Sequence, residues 1–193
     1  MSFLCLAVIA GFVHLAAEGI GGFGGFSFGT AGGGGSGTVR GGELVSGRVV
    51  RVMDGDTYEL LLEDKTTVRI RMDGIDAPET AMPYYRAATD YLKELTRDQI
   101  VSVSLSNKDQ YGRVVSYSWL SDGRELGKEM IRAGLAWHYK QYNSDKELAA
   151  LEIEARDAKR GLWVDKKPLA PWDVRRWRRQ GMNTREIYER YGQ

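Results

Sequence analysis

Three carboxylates and two arginines of the chain are of types that could act together on one negatively charged group. They are Asp56, Arg71, Asp76, Glu79 and Arg113. Aspartate oxygens are suitable ligands for a hard cation such as Ca²⁺, and the paired N–H donors of arginine suit a phosphate. A glutamate that the cation leaves free can orient or deprotonate water. Together these residues would suffice for metal-assisted hydrolysis of a phosphodiester, in which negative charge accumulates on the phosphoryl group.

Each of these residues taken singly has an ordinary structural explanation. The Asp-Gly-Asp segment at 54–56 is typical of a tight turn, and Asp76 with Glu79 three residues on is typical of a helix cap. Arg71 and Arg113 could be solvated arginines on a strand and in a turn. Only the combination favours a site, and the spacing of cysteine and histidine that typifies zinc sites is absent from the sequence.

The strands that would position these groups form a predicted three-stranded meander at 45–53, 58–62 and 68–72. The Asp-Gly dipeptide at 54–55 predicts a hairpin turn between the first two strands. In the third, Val68, Ile70 and Met72 alternate with Arg69 and Arg71, which predicts one apolar and one cationic face. Two further strands are expected at 101–105 and 114–120.

Three helices complete the predicted domain. Pro83 is placed to open the first, Gly134 is suited to cap the end of the second, and Ser144 with Glu147 resembles a capping box at the start of the third. Five strands with a helix after the third predict an α+β fold. We expect a five-stranded Greek-key barrel of the oligonucleotide/oligosaccharide-binding (OB) type, which has a natural nucleic-acid face.

The N-terminal region differs in composition from the rest of the chain. Residues 1–18 are almost wholly apolar and predict either a cleaved signal peptide or a retained membrane anchor, and hence a secreted or membrane-anchored, extracytoplasmic protein. The alternative is a disordered extension or a misassigned start codon. Residues 19–42 hold 13 of the 24 glycines and predict a flexible linker. The folded domain is expected at 43–173.

The end of the chain, 174–193, is predicted to be a basic tail because four of its residues between 175 and 179 are arginines. Its functional interpretation is non-specific attraction to phosphates. Asn183 with Glu186 three residues on also predicts the cap of a short final helix, from Thr184 to Tyr191. The net charge of the whole chain is only +1, so the composition does not predict a strongly basic nucleic-acid-binding protein.

Several motifs taken in order resemble the staphylococcal nuclease (thermonuclease) family. They are DGDT, VRIRMDGIDAPET, DQYGR, RELGKEMIRAGLAW and ELAALEIEARDAKRGLW, and the resemblance covers about residues 45–173. It implies a five-stranded barrel with three helices. It also implies Ca²⁺-dependent endonucleolytic cleavage of DNA and RNA that leaves 3′-phosphates.

The resemblance also implies roles for individual residues. Asp56 and Asp76 match the carboxylate ligands of calcium, and Ala77 the position whose backbone carbonyl is a ligand. Arg71 and Arg113 match the two phosphate-binding arginines, and Glu79 the proposed general base. Among the aromatic residues, the candidates for contact with nucleotides are Tyr111, Trp137 and Tyr139, with a place in the apolar core as the alternative for Trp137.

The sequence departs from the family pattern between Thr80 and Tyr91, where the segment is shorter and lacks a basic loop. An alternative function is a catalytically silent OB-fold module that binds nucleic acid or protein. Silent modules usually lose a carboxylate or an arginine, and all five are present here. We therefore expect a monomeric enzyme whose partners are DNA and RNA substrates, with possible membrane association through the N-terminal segment.

Overall fold

The computed structural model of the protein describes residues 43–105 and 108–192. The predicted signal or anchor at 1–18 and the predicted linker at 19–42 lie outside these residues. Within the described ranges, no helix combines the length and the apolar composition needed to cross a bilayer.

The predicted meander is confirmed by three antiparallel strands, β1 (Glu43–Val52), β2 (Thr57–Leu62) and β3 (Thr67–Met72). In β3, Ile70 and Met72 are buried while Arg69 is exposed, as the alternation of apolar and basic residues predicts. The strand pairing places Arg71 opposite Thr57 at the start of β2. A two-residue strand, β4 (Ile75–Asp76), follows β3.

Helix α1 (Tyr85–Thr96) connects this meander to β5 (Ile100–Leu105), which pairs with β1. The predicted fifth strand is present as two short strands, β6 (Val114–Ser116) and β7 (Ser118–Leu120). β6 runs parallel to β3 and β7 runs antiparallel to β5. β6 and β7 are consecutive in the chain, yet they pair with strands on opposite sides of the sheet, β3 and β5. The sheet therefore curls into a nearly closed barrel, which confirms the OB-type fold class.

Two other helices follow the barrel strands, α2 (Leu126–Arg132) and α3 (Lys146–Asp157), with β8 (Trp137–His138) between them. Gly134 ends α2 as predicted, with φ of 68° and an N–H that donates to the Ile131 carbonyl at 2.9 Å. The predicted cap of α3 was wrong by one residue. Asp145, not Ser144, accepts hydrogen bonds from the N–H groups of Glu147 and Leu148.

The first helix also starts later than Pro83 predicted. It begins at Tyr85, after Tyr84 in the left-handed region with φ of 64°.

The main core fills the barrel and the space beneath α1 and α2. Its fully buried side chains include Leu60, Ile70, Leu92, Val101 and Met130. Tyr58 is fully buried as well, and its hydroxyl donates to Ser118 Oγ at 2.7 Å. That bond links β2 to β7 across the barrel and satisfies a buried polar group.

The segment that was predicted to be a basic tail is folded in the structure. After a short 3-10 helix, Gly161–Val164, the chain forms α4 (Pro171–Arg179) and α5 (Thr184–Tyr191). The predicted final helix and its Asn183–Glu186 capping box are confirmed. Val174 and Ile187 are fully buried beside Met82 and Leu169, so these two helices have an apolar core of their own.

Candidate active site

Arg71 lies between two buried aspartates. Its Nε is 3.2 Å from Asp56 Oδ1, and its Nη2 is 3.2 Å from Asp76 Oδ1. Asp56 comes from the turn before β2 and is 5% exposed, while Asp76 ends β4 and is 1% exposed. Burial of two carboxylates is costly unless they are paired, and the arginine on β3 supplies that pairing.

The turn that carries Asp56 packs tightly against its surroundings at Gly55. A Cβ atom at residue 55 would lie 2.7 Å from Ala88 Cβ and 2.8 Å from Ala77 Cβ. This close approach brings the backbone N–H of Ala77 to 2.7 Å from Asp56 Oδ2, to which it donates. Glycine at 55 is therefore needed for packing, and it fixes the position of one candidate metal ligand.

A further carboxylate, Asp54, lines the cleft that also holds Asp56 and Asp76. The sequence predicted it only as part of a turn. Its Oδ1 accepts the backbone N–H of Asp56 at 3.0 Å. Burial, together with the charge of Asp56, raises the pKa of Asp54 to about 7. Burial also raises the pKa of Asp76 to about 6, and the hydrogen bond from Arg175 opposes that rise. Raised carboxyl pKa values indicate a site in which added positive charge would be stabilising.

Arg175 of α4 is the functional candidate that sequence reasoning missed. Its Nη1 and Nη2 donate to Asp76 Oδ1 at 3.1 Å and Asp76 Oδ2 at 2.7 Å. Nη1 also donates to Glu79 Oε1 at 2.6 Å. The sequence signal was the arginine-rich stretch at 175–179, but nothing local distinguishes the residue that enters the cleft from its neighbours.

Arg113 reaches the cleft from the turn before β6. Asp109 Oδ2 accepts a hydrogen bond from Arg113 Nε at 2.8 Å, and Asp109 Oδ1 accepts the backbone N–H of Arg113 at 2.9 Å. The guanidinium carbon lies 5.5 Å from the centre of the Tyr111 ring. Tyr111 itself is 71% exposed, so its ring is accessible from solvent at the edge of the cleft.

The other two aromatic candidates have different environments. Tyr139 lines the cleft and stacks on Trp172 of α4, with ring centres 5.2 Å apart. Trp137 is 8% exposed and packs edge-on against Trp163 at 4.5 Å. The Trp137 ring belongs to a second apolar core between α3 and α4 and is not among the residues that line the cleft. This burial favours the alternative that Trp137 is a core residue, and its contact with nucleotides stays a prediction.

The five residues that the sequence singled out come together in one cleft of about 790 Å³, called here the barrel cleft. Its lining includes Asp54, Asp56, Arg71, Asp76, Ala77, Glu79, Tyr111, Arg113, Tyr139, Arg175 and Arg179.

The carboxylates of the cleft fit a hard cation by donor type, since Ca²⁺ and Mg²⁺ prefer oxygen ligands. In the part of the chain that the structure describes, no group of three or more His, Cys, Asp or Glu side chains is arranged to hold a metal. Asp56 and Asp76 would thus need carbonyl or water oxygens to complete a coordination shell. Buried carboxylates beside guanidinium groups in one cleft of an OB barrel are the arrangement expected of the class of proteins that bind and hydrolyse phosphate esters.

Comparison with known proteins gives the same class. Residues 69–165 match the sequence model of the family described as staphylococcal nuclease homologue. An "Uncharacterized endonuclease" of Escherichia coli is 46% identical over 128 residues, which cover 66% of this chain and 83% of that protein. The chain therefore belongs to the staphylococcal nuclease homologue family.

Two other relatives extend the comparison. "Protein ParB" of Escherichia coli is 35% identical over 150 residues, covering 72% of this chain and 82% of that protein. "Staphylococcal-like nuclease CAN1" of Arabidopsis thaliana is 40% identical over 113 residues, covering 58% of this chain and 35% of that protein. The match to the family model excludes both Asp56, which precedes it, and Arg175, which follows it.

Proposed function

We propose that the protein is a Ca²⁺-dependent endonuclease that hydrolyses phosphodiester bonds of DNA and RNA with little sequence preference and leaves 3′-phosphates. Membership of the family and the names of the relatives support hydrolytic nuclease activity. The observation that carries the proposal is that the predicted carboxylates and arginines line one cleft. Groups spread over separate surfaces could not act on a single phosphate.

Asp56 and Asp76, with the backbone carbonyl of Ala77, are the residues that would hold Ca²⁺. When bound, the ion supplies a Lewis acid that stabilises negative charge on the phosphoryl oxygens. The support for this assignment is the burial of both aspartates at 5% and 1% exposure, and the raised pKa of Asp76, at about 6 because of that burial. Two buried carboxylates in one cleft favour a bound cation, because it would offset the cost of burying their negative charges.

Arg71 and Arg113 would bind the scissile phosphate. The Arg71 side chain is held rigidly, since it contacts both aspartates and its Nη1 donates to the Met72 carbonyl at 2.6 Å. The Arg113 side chain is 26% exposed and is oriented by Asp109. Preorganised guanidinium groups stabilise the transition state without a cost of reorganisation during the reaction.

Glu79 would orient or deprotonate the attacking water. Its side chain is 33% exposed, so water can reach it, whereas Asp76 is buried. Tyr111 and Tyr139 line the same cleft, and stacking of a base on an aromatic ring tolerates any base. These contacts would favour a nucleic-acid substrate without strong sequence preference.

The catalytically silent binding module remains the second candidate. The test incubates the purified full-length chain with single-stranded DNA or RNA, with Ca²⁺ or with a calcium chelator. The nuclease proposal expects internal cleavage only with Ca²⁺. DNA products should become substrates for polymerase extension only after phosphatase removes the 3′-phosphate. Binding without cleavage under both conditions would support the silent module.

The proposed organisation of the chain is a signal or anchor at 1–18, a glycine-rich linker at 19–42, the nuclease domain at 43–173, and a basic C-terminal region at 174–193. We propose that the enzyme acts outside the cytoplasm, secreted or anchored to a membrane. Cell fractionation and N-terminal sequencing of the mature protein test this. A mature protein that starts at Met1 in the soluble cytoplasmic fraction would contradict the proposal.

A further inference from the structure

Arg175 contacts the two carboxylates to which the proposed function assigns metal binding and water activation. Its two terminal nitrogens donate to both oxygens of Asp76 and to Glu79 Oε1, at distances between 2.6 and 3.1 Å. The Arg175 side chain is 30% exposed and that of Asp76 is 1% exposed, so the paired contact is largely shielded from water. Charge-assisted, paired hydrogen bonds of this kind are the strong ones.

The position of Arg175 is set by the contacts of three other residues of α4. Trp172 stacks on Tyr139 with an angle of 6° between the rings, and Val174 is fully buried. One turn after Arg175, Arg178 Nη2 donates to the Thr80 carbonyl at 2.6 Å, close in sequence to Glu79. The helix is thus held against the rim of the cleft, and Arg175 is directed inward.

The contacts of Asp76 with two guanidinium groups leave little space for a divalent cation. Asp76 Oδ1 is shared by Arg71 and Arg175, and Asp76 Oδ2 accepts from Arg175 at 2.7 Å. A calcium ligand oxygen lies about 2.3–2.6 Å from the ion. A guanidinium and a divalent ion at the same buried carboxylate would repel each other strongly, because screening by water is weak there.

We propose that Arg175 is an intramolecular competitor of the divalent cation. Its guanidinium holds Asp76 and Glu79 while no metal is bound, and it must leave Asp76 when the metal binds. This positioning role rests on the proposed function, in which Asp76 is a calcium ligand. It makes α4 a determinant of metal affinity, although the family match ends at residue 165, before this helix.

The test is calorimetric titration of the full-length, metal-stripped protein with Ca²⁺ at about pH 8.5, above the raised pKa values of the carboxyls. Arg175→Gln removes the charge and Arg175→Lys keeps it without the paired hydrogen bonds. Arg176→Gln is the matched control, since Arg176 is on the same helix but is 57% exposed and pairs with Asp173. The expected order of affinity is Arg175→Gln tightest, then Arg175→Lys, then the wild type and Arg176→Gln together.

The expected gain for Arg175→Gln is about tenfold, the usual size of coupling between two binding events. A second measurement separates competition from a purely structural role. Thermal unfolding should show Arg175→Gln below the wild type without Ca²⁺, because the buried Asp76 carboxylate loses its paired contact and keeps only Arg71 as a cationic partner. The gap should shrink with saturating Ca²⁺. If Arg175→Gln does not fold, the comparison of Arg175→Lys with Arg176→Lys gives the same test.

Equal or weaker calcium affinity of the Arg175 variants, with calcium-dependent cleavage intact, would overturn the competition and leave the proposed function standing. Absence of calcium binding in all variants, together with cleavage that persists in chelator, would overturn both. A stability gap that stays constant at every Ca²⁺ concentration would assign Arg175 a structural role only.

Discussion

The barrel and the C-terminal helices both contribute a guanidinium to the same aspartate, but they do so in different ways. Arg71 is five residues from Asp76 and is placed by strand pairing within the barrel. Arg175 is 99 residues from Asp76 and is placed by the packing of α4. The first contact is part of the barrel itself, whereas the second can be lost without breaking a strand. This difference suggests a rigid catalytic scaffold with a removable cation beside it.

The largest effect is expected on the barrel side, for Arg113→Ala. Cleavage should fall by about 10³-fold, the scale seen when an arginine that stabilises a phosphoryl transition state is removed. Arg124→Ala is a matched control, because Arg124 also sits in a turn with its Nε 2.8 Å from an aspartate, Asp122, but outside the barrel cleft. Initial rates on single-stranded DNA measure both variants. Wild-type turnover of Arg113→Ala would exclude this residue from the mechanism.

The next effect is expected for Glu79→Gln, which should slow cleavage by about 10²-fold or more as a general base is lost. Calcium affinity should change far less than the rate. Glu63→Gln, an exposed glutamate in the turn after β2, serves as the control. A rate loss that high Ca²⁺ restores would instead indicate that Glu79 is a metal ligand.

A smaller effect of defined sign is expected for Asp56→Asn, which should weaken calcium binding by at least about tenfold because a charged ligand is lost. The same titration on Arg175→Gln should move in the opposite direction. Asp64→Asn, in an exposed turn, controls for a general change of charge. If both Asp56→Asn and Arg175→Gln shift calcium affinity in the same direction, the contrast between scaffold and removable cation fails.

The smallest effect on calcium affinity is expected for Trp172→Ala, which loses the stack on Tyr139 and so loosens α4. The free energy of unfolding should fall by about 2 kcal/mol, and calcium affinity should rise modestly as Arg175 holds Asp76 less firmly. Trp119→Ala is the control, since Trp119 lies on β7 with its ring centre 6.1 Å from that of Tyr117, away from α4 and outside the barrel cleft. It should lose stability without a change in calcium affinity, and denaturant unfolding with calorimetry measures both.

Sequence reasoning succeeded where the determining interactions are local. The alternation in β3 and the Asp-Gly turn predicted which face Arg71 occupies and where Asp56 lies, and the Asn183–Glu186 spacing predicted the cap of α5. The predicted cap of α3 was wrong by one residue. Ser144 and Asp145 are both favourable N-cap residues, and the backbone conformation before the helix determines that Asp145 is the cap.

The two features of the site that sequence reasoning did not resolve have a common physical cause. The residues around Trp137 are compatible with either a buried or an exposed ring. Its burial depends on Trp163 and Trp172, which come more than 20 residues later in the chain. Asp54 was read as part of a turn, because its elevated pKa depends on burial beneath the folded barrel rather than on its neighbours in sequence.

By itself, the sequence determined the barrel strands, the turn that holds Asp56, and the carboxylates and arginines that meet in the cleft, because turn chemistry and strand alternation act over a few residues. Only the tertiary structure decided that one arginine of a basic stretch enters the cleft while Arg176 stays outside. That choice depends on how α4 rotates as Val174 and Trp172 are buried. Such burial is the sum of long-range contacts that no short stretch of the chain contains.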